Sequence, residues 1–188
     1  SCKITPQIDA FVTKLGDDTL AVETFFATPD SILAKVVLRS PEVSLRSYAL
    51  ELGDDGGIEA FHVFEHDPDS GFNTAGKLVQ QMARRGDSLY IETETRQGLR
   101  ASAVAYQKGT LPFIDMVHWP FEPALIAASK SDRDTTHQFL VTGSSLSDFV
   151  IARITEDSLT IRHPFRGVMG TRVTEDGEMI MLNAAGTT

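Results

Sequence analysis

Residues 71–78, GFNTAGKL, have the spacing of a phosphate-cradling loop: Gly71, four residues, then Gly76 and Lys77. In such a loop backbone N–H groups hold phosphate oxygens, the lysine reaches the outer phosphates, and a following Ser or Thr binds magnesium. Leu78 stands in the hydroxyl's place, and HDPDS rather than a buried strand precedes the loop. No nucleotide cofactor is therefore expected. His62 and His66, beside Asp67 and Asp69, have the residue types of a metal site. On a strand, residues four apart share a face but lie ~13 Å from each other. One zinc ion with bonds of ~2.1 Å does not bridge that gap, and IEAFHVF is rich in strand formers. No metal site is expected there.

The remaining candidates for covalent or acid–base chemistry are weaker. GSSLS, 143–147, places a serine as a nucleophile elbow does but ends in Ser147 where the second glycine belongs, and no helical pattern follows. Asp17-Asp18 and Asp54-Asp55 fall in turns, and Glu92 and Glu94 share one strand face. None of these pairs has the apolar setting that raises a carboxyl pKa for acid catalysis. His118, His137 and His163 are isolated in sequence. The residues contain no catalytic constellation, so a protein that is not an enzyme is expected.

One stretch speaks for binding instead. In GLRASAVAY, Leu99, Ala101, Ala103 and Ala105 fall on one face, opposite Arg100, Ser102, Val104 and Tyr106. A strand that turns three alanines inward leaves room above them for a packed helix, for bulky side chains or for a ligand. LPFIDMVHWPFEPALI supplies Phe113, Met116, Trp119, Phe121, Leu125 and Ile126 as fillers, and a tryptophan beside His118 can line a pocket. The candidate ligand-binding set is thus Ala101, Ala103, Ala105, Phe113, Met116, His118 and Trp119, with a helix packed on the alanines as the competing occupant.

The elements that would position these residues follow from a recurring phrase. GDDTLAVETF at 16–25 returns as RGDSLYIETE at 85–94 and TEDSLTIRHPF at 155–165. Each copy turns through acidic or glycine residues and resumes an apolar alternation of period two, the mark of a half-buried strand. Aspartate bends the chain by bonding backbone N–H groups just ahead, and Ser or Thr does so more weakly. Leu20, Val22, Thr24 and Phe26 share one parity, as do Ile32, Ala34, Val36 and Leu38, and Leu89, Ile91, Thr93 and Thr95. Asp55-Gly56 and Asp176-Gly177 add hairpin turns. FEPALIAASK, 121–130, reads as a short helix with proline near its first turn. LVQQMARR, 78–85, has helical composition but occupies a strand's place before a corner, which favours strand. The fold class expected is mainly β: an antiparallel meander forming a barrel or strongly curved sheet, with one short helix packed on it. Residues 1–9 read as an N-terminal tether and 10–188 as a single β-rich domain.

The 188 residues carry 17 Lys and Arg against 26 Asp and Glu, a formal charge of −9. Nucleic acid and anionic membrane surfaces are poor partners for such a chain, because both need a basic footprint. Cys2 is the only cysteine, so no internal disulfide forms. Ser-Cys at a mature start resembles the cleavage site of bacterial lipoproteins, whose cysteine becomes the lipidated first residue. With its corners, the Pro-Phe-helix segment and Cys2, the chain resembles exported bacterial β-rich domains of unknown function, some of lipoprotein type and some beside secreted hydrolases. DDTLAVETF, the Asp-Ser-Leu corners, LPFIDM and DGEMIMLNAAGTT carry the resemblance over most of the chain. Such domains have no agreed catalytic residues to transfer. The resemblance implies export to the bacterial cell envelope, with Cys2 as a lipid anchor and no other membrane attachment. The function expected is non-catalytic binding of a lipid or other apolar small molecule in the barrel, without a cofactor. An interaction or accessory module of a secreted enzyme system is the alternative.

Overall fold

A computed structural model describes residues 8–39 and 42–184. The chain divides into two compact units, Ser1–Tyr106 with Ile114–Trp119, and Gln107–Phe113 with Pro120–Thr188. The fold is mainly β, with antiparallel sheets, one of them a curled half-barrel, and a single short helix among the described residues.

The first unit is an eight-stranded meander in sequence order: β1 (Asp9–Leu15), β2 (Asp18–Ala27), β3 (Ser31–Leu38), β4 (Ser44–Leu52), β5 (Ile58–His66), β6 (Lys77–Arg85), β7 (Ser88–Thr95) and β8 (Gly98–Ala105). Every neighbouring pair is antiparallel. The acidic corners are its tight turns. Gly16 and Gly86, at φ +59 and +61, take the left-handed conformation that side chains resist, and the next strand starts within two residues. LVQQMARR lies in β6, where pairing with β5 and β7 overrides its helical composition and buries Met82.

One face of this sheet, the inner face, carries the core of the unit: Phe25, Ile32, Ala34, Val36, Tyr48, Leu50, Phe61, Met82, Leu89 and Ile91. The parity of β3 and β7 matches the sequence pattern. In β2 it is reversed: Ala21, Glu23 and Phe25 are buried, whereas Val22 is 39% exposed. The alternation there is apolar on both faces, so hydrophobicity alone does not choose between them, and cross-strand register does. Glu23 lies opposite buried Val36, and Phe25 opposite buried Ala34.

The second unit is a six-stranded sheet in the order β14-β13-β12-β11-β10-β9, from β9 (Thr110–Pro112), β10 (Thr135–Thr142), β11 (Ser145–Thr155), β12 (Ser158–His163), β13 (Gly167–Val173) and β14 (Met179–Ala184). The pairing of β9 with β10 is parallel, a departure from the all-antiparallel meander, because a long connection containing the helix separates them. That helix, α1 (Glu122–Ser129), has Pro123 in its first turn and packs against β10 and β11. Buried Glu122 accepts the N–H of Met179 at 3.1 Å. Arg153 Nη2 donates to the carbonyls of Ala128, Ser129 and Ser131, which completes the helix end. GSSLS supplies the β10–β11 turn and the start of β11.

Candidate functional site

The alanine strand is the plainest correction to the sequence reading. Ala101, Ala103 and Ala105 are exposed, not turned to an interior. In β8 they pair with Glu92, Tyr90 and Ser88 of β7, while Ser102 and Val104 sit opposite buried Ile91 and Leu89. Small apolar residues are at home on either face of an edge strand, so alternation alone misassigned the side. The signal for the right side was Tyr106, whose hydroxyl donates to Asp55 at 2.9 and 3.1 Å. Phe113 belongs to the second unit, with ring centroids 5.1 Å from His163 and 5.6 Å from Phe165. Met116, His118 and Trp119 belong to the first, so the candidate set is not one cluster within either unit. Cys2 lies outside the described residues.

His118 and Trp119 converge instead on Glu23, which sequence reading missed. Glu23 is fully buried on β2; its Oε2 accepts the backbone N–H groups of His118 at 2.9 Å and Trp119 at 3.1 Å. His118 Nδ1 lies 3.0 Å from Glu23 Oε1 and 3.1 Å from Thr13 Oγ1. The segment before it bends sharply, with Met116 at φ +62 as a non-glycine residue in left-handed backbone. A hydroxyl–imidazole–carboxylate relay uses opposite ring nitrogens. Thr13 and Glu23 meet the same nitrogen here, and together with the two backbone bonds these contacts clamp His118 and Trp119 to β1 and β2. A glutamate set between Ala21 and Phe25 on one strand face was the available sequence signal.

Two depressions on the eight-stranded sheet have the form of binding sites. The first is an apolar groove of about 450 Å³ on the outer face. Ser47 and Ala49 of β4 form a low floor, and Phe26, Leu33, Phe64 and Ile8 stand around it, with Lys35 the one charged lining residue. The register explains the groove. Phe26, Leu33 and Ala49 are successive cross-strand neighbours, and Lys35, Ser47 and Phe64 form the next row. The loop from 66 to 76 closes against this face: Ser47 Oγ is 2.8 Å from His66 Nε2, the His66 ring meets Phe72 at 4.9 Å, and Lys35 Nζ lies 5.3 Å from the Phe72 ring. Thus GFNTAGKL is a connector between antiparallel β5 and β6, where Gly76 leaves room for His66.

The second depression, about 580 Å³, is polar and lined by Arg46, Val63, Glu65, Lys77, Gln80, Thr93 and Arg96 among others. A bulge in β6 opposite Val63 and Phe64 widens the sheet there. Lys77 pairs with Glu94 at 2.7 Å, whereas no carboxylate pairs with Arg46 or Arg96 among the described residues. Beside Arg46, burial pushes the Tyr48 hydroxyl up to about 12, a rise the guanidinium partly opposes and Glu23 reinforces.

No family model matches this sequence, and no curated protein does. Among solved structures it is similar to the crystal structure of a DUF1089 family protein from Pseudomonas aeruginosa, with a TM-score of 0.61 and 13% identity. The match covers 96% of this chain and 100% of that one. At that identity the likeness shows a shared fold: this chain has the architecture of an uncharacterised bacterial domain.

Proposed function

We propose that the chain is a non-catalytic protein of the bacterial cell envelope that holds the aliphatic chain of a lipid in the outer-face groove. The observation that carries this reading is the groove itself, about 450 Å³ of open, apolar lining on a folded sheet face. That volume falls in the range of small-ligand sites. Each methylene taken from water there contributes roughly 0.8 kcal/mol, and Lys35 on the wall complements an acidic headgroup. The site sits on the outer face of the sheet rather than inside a barrel. Export and acylation at Cys2 belong to the same proposal. Cell fractionation tests them: membrane association lost on Cys2→Ser supports both, and a soluble cytoplasmic protein unchanged by the substitution refutes both.

The interaction module remains the second reading. Val12, Val22 and Val37 are cross-strand neighbours, 54%, 39% and 37% exposed, and extend the apolar surface beyond a single chain's width. Calorimetric titration with dodecanol and dodecanoate below their micelle concentrations separates the two. The lipid reading predicts saturable binding that Ala49→Phe abolishes by filling the floor of a solvent-open groove. Absence of binding to the wild type, or equal binding by Ala49→Phe, overturns it and leaves the interaction module ahead.

A further inference from the structure

The polar depression is independent of the groove and has its own chemistry. Its cations and carboxylates are differently placed. Glu65, Glu94 and Lys77 are exposed; Lys77 and Glu94 neutralise each other at the rim, and water screens Glu65. Arg46 is half-buried on the inner face between Val36 and Glu65; its guanidinium lies beside the Tyr48 hydroxyl, and its Nε is buried without a hydrogen-bond partner. An arginine so placed normally meets a carboxylate or another acceptor, because a buried donor without a partner is costly. Neither Arg46 nor Arg96 has an ion-pair partner among the described residues. The concavity therefore holds two arginines without a carboxylate partner among the described residues, one exposed and one half-buried. Gln80 Nε2 donates to Thr93 Oγ1 at 3.0 Å, which leaves the Thr93 hydroxyl proton and the Gln80 carbonyl to meet a ligand.

We infer that this depression is a second binding site, for a small anion bearing a carboxylate or phosphate group. The Arg46 guanidinium receives the oxyanion as a planar fork, which a lysine does not reproduce. Arg96 adds charge at the entrance, and the Thr93 hydroxyl donates a further hydrogen bond. Glu65 sets a limit on ligand charge, since its carboxylate shares the lining and disfavours highly charged anions. The Val63 and Val79 side chains give the neutral part of the ligand an apolar wall. None of these residues lines the outer groove.

Calorimetry on the full chain with inorganic phosphate, butyl phosphate and butyrate tests the inference. These probes lack the long chain that the groove takes. Saturable binding of at least one probe is expected, weakened about tenfold or more by Arg46→Gln and less by Arg46→Lys. Arg96 is exposed, so Arg96→Gln leaves the thermal midpoint unchanged while weakening binding about two- to fivefold; it serves if Arg46→Gln does not fold. Tighter binding of butyl phosphate or butyrate than of inorganic phosphate assigns an organic anion, and equal binding assigns the free ion. Ala49→Phe should leave this binding intact, so failure of the groove reading is seen separately. No saturable binding by the wild type, or affinities within twofold for wild type and both glutamine variants, overturns the inference.

Discussion

Replacing Glu23 with leucine removes a buried side chain that holds the 114–119 segment. The substitution leaves the backbone N–H groups of His118 and Trp119 without their acceptor in the interior. Each unsatisfied buried N–H costs ~1–3 kcal/mol. His118 suffers less, because its side chain keeps Thr13 and is 13% exposed, so water can reach it. Leucine returns some apolar burial, and partial relaxation brings the expected loss to ~2–4 kcal/mol. Glu23→Gln keeps a carbonyl oxygen for both N–H groups and offers its amide to His118 Nδ1, so its cost should be ~1–2 kcal/mol. Urea denaturation followed by circular dichroism, with hydrogen exchange at the His118 and Trp119 amides, measures both effects. Leucine costing under ~1 kcal/mol, or no more than glutamine, would show that the carboxyl group does not position this segment.

Three further outcomes follow from the same geometry. Burial would raise the Asp55 carboxyl, but the Gly57 N–H, the Tyr106 hydroxyl and the Arg84 guanidinium together outweigh it and hold the group below its ordinary value. A depressed carboxyl stabilises the fold above its unfolded value and loses that contribution as pH falls through its folded value. Asp55→Ala should therefore cost ~1 kcal/mol at pH 7 after solvent screening, and the gap to wild type in urea should narrow as pH falls below the ordinary carboxylate range. Tyr48, pushed up to about 12 by burial first, should appear in the wild-type-minus-Tyr48→Phe absorbance titration at 295 nm as a step near that pH. Because the unfolded phenol ionises near 10, Tyr48 should lower stability progressively above that pH. Ala103→Leu, on an exposed position, should change stability by no more than ~0.5 kcal/mol, where a buried alanine under a packed helix would lose ~1–3 kcal/mol.

The acidic corners were legible because aspartate, glycine and a resumed alternation mark a turn by local chemistry alone. Ile32, Ala34 and Val36 named the buried face of β3 because Lys35 stands on the other. The 121–130 helix was legible from the proline near its first turn. Faces were misread where both parities are apolar or small, in β2 and β8. There the choice depends on cross-strand partners such as Val36 for Glu23 and Leu89 for Val104, which sequence does not identify. The outer groove was invisible for a related reason: it needs Phe26, Leu33, Ala49 and Phe64 from four strands to align. Arg46 gave no signal either, since its meaning lies in the carboxylate that is not paired with it.

The proposed function places an aliphatic chain in the outer-face groove. Intermolecular NOEs between carbon-13-labelled methyl groups of the otherwise deuterated protein and bound dodecanol locate the ligand. The lipid reading predicts contacts from the dodecanol methylenes to the Leu33 and Ala49 methyl groups. Saturating dodecanol that gives no such contacts, or contacts confined to other methyl groups, would contradict it.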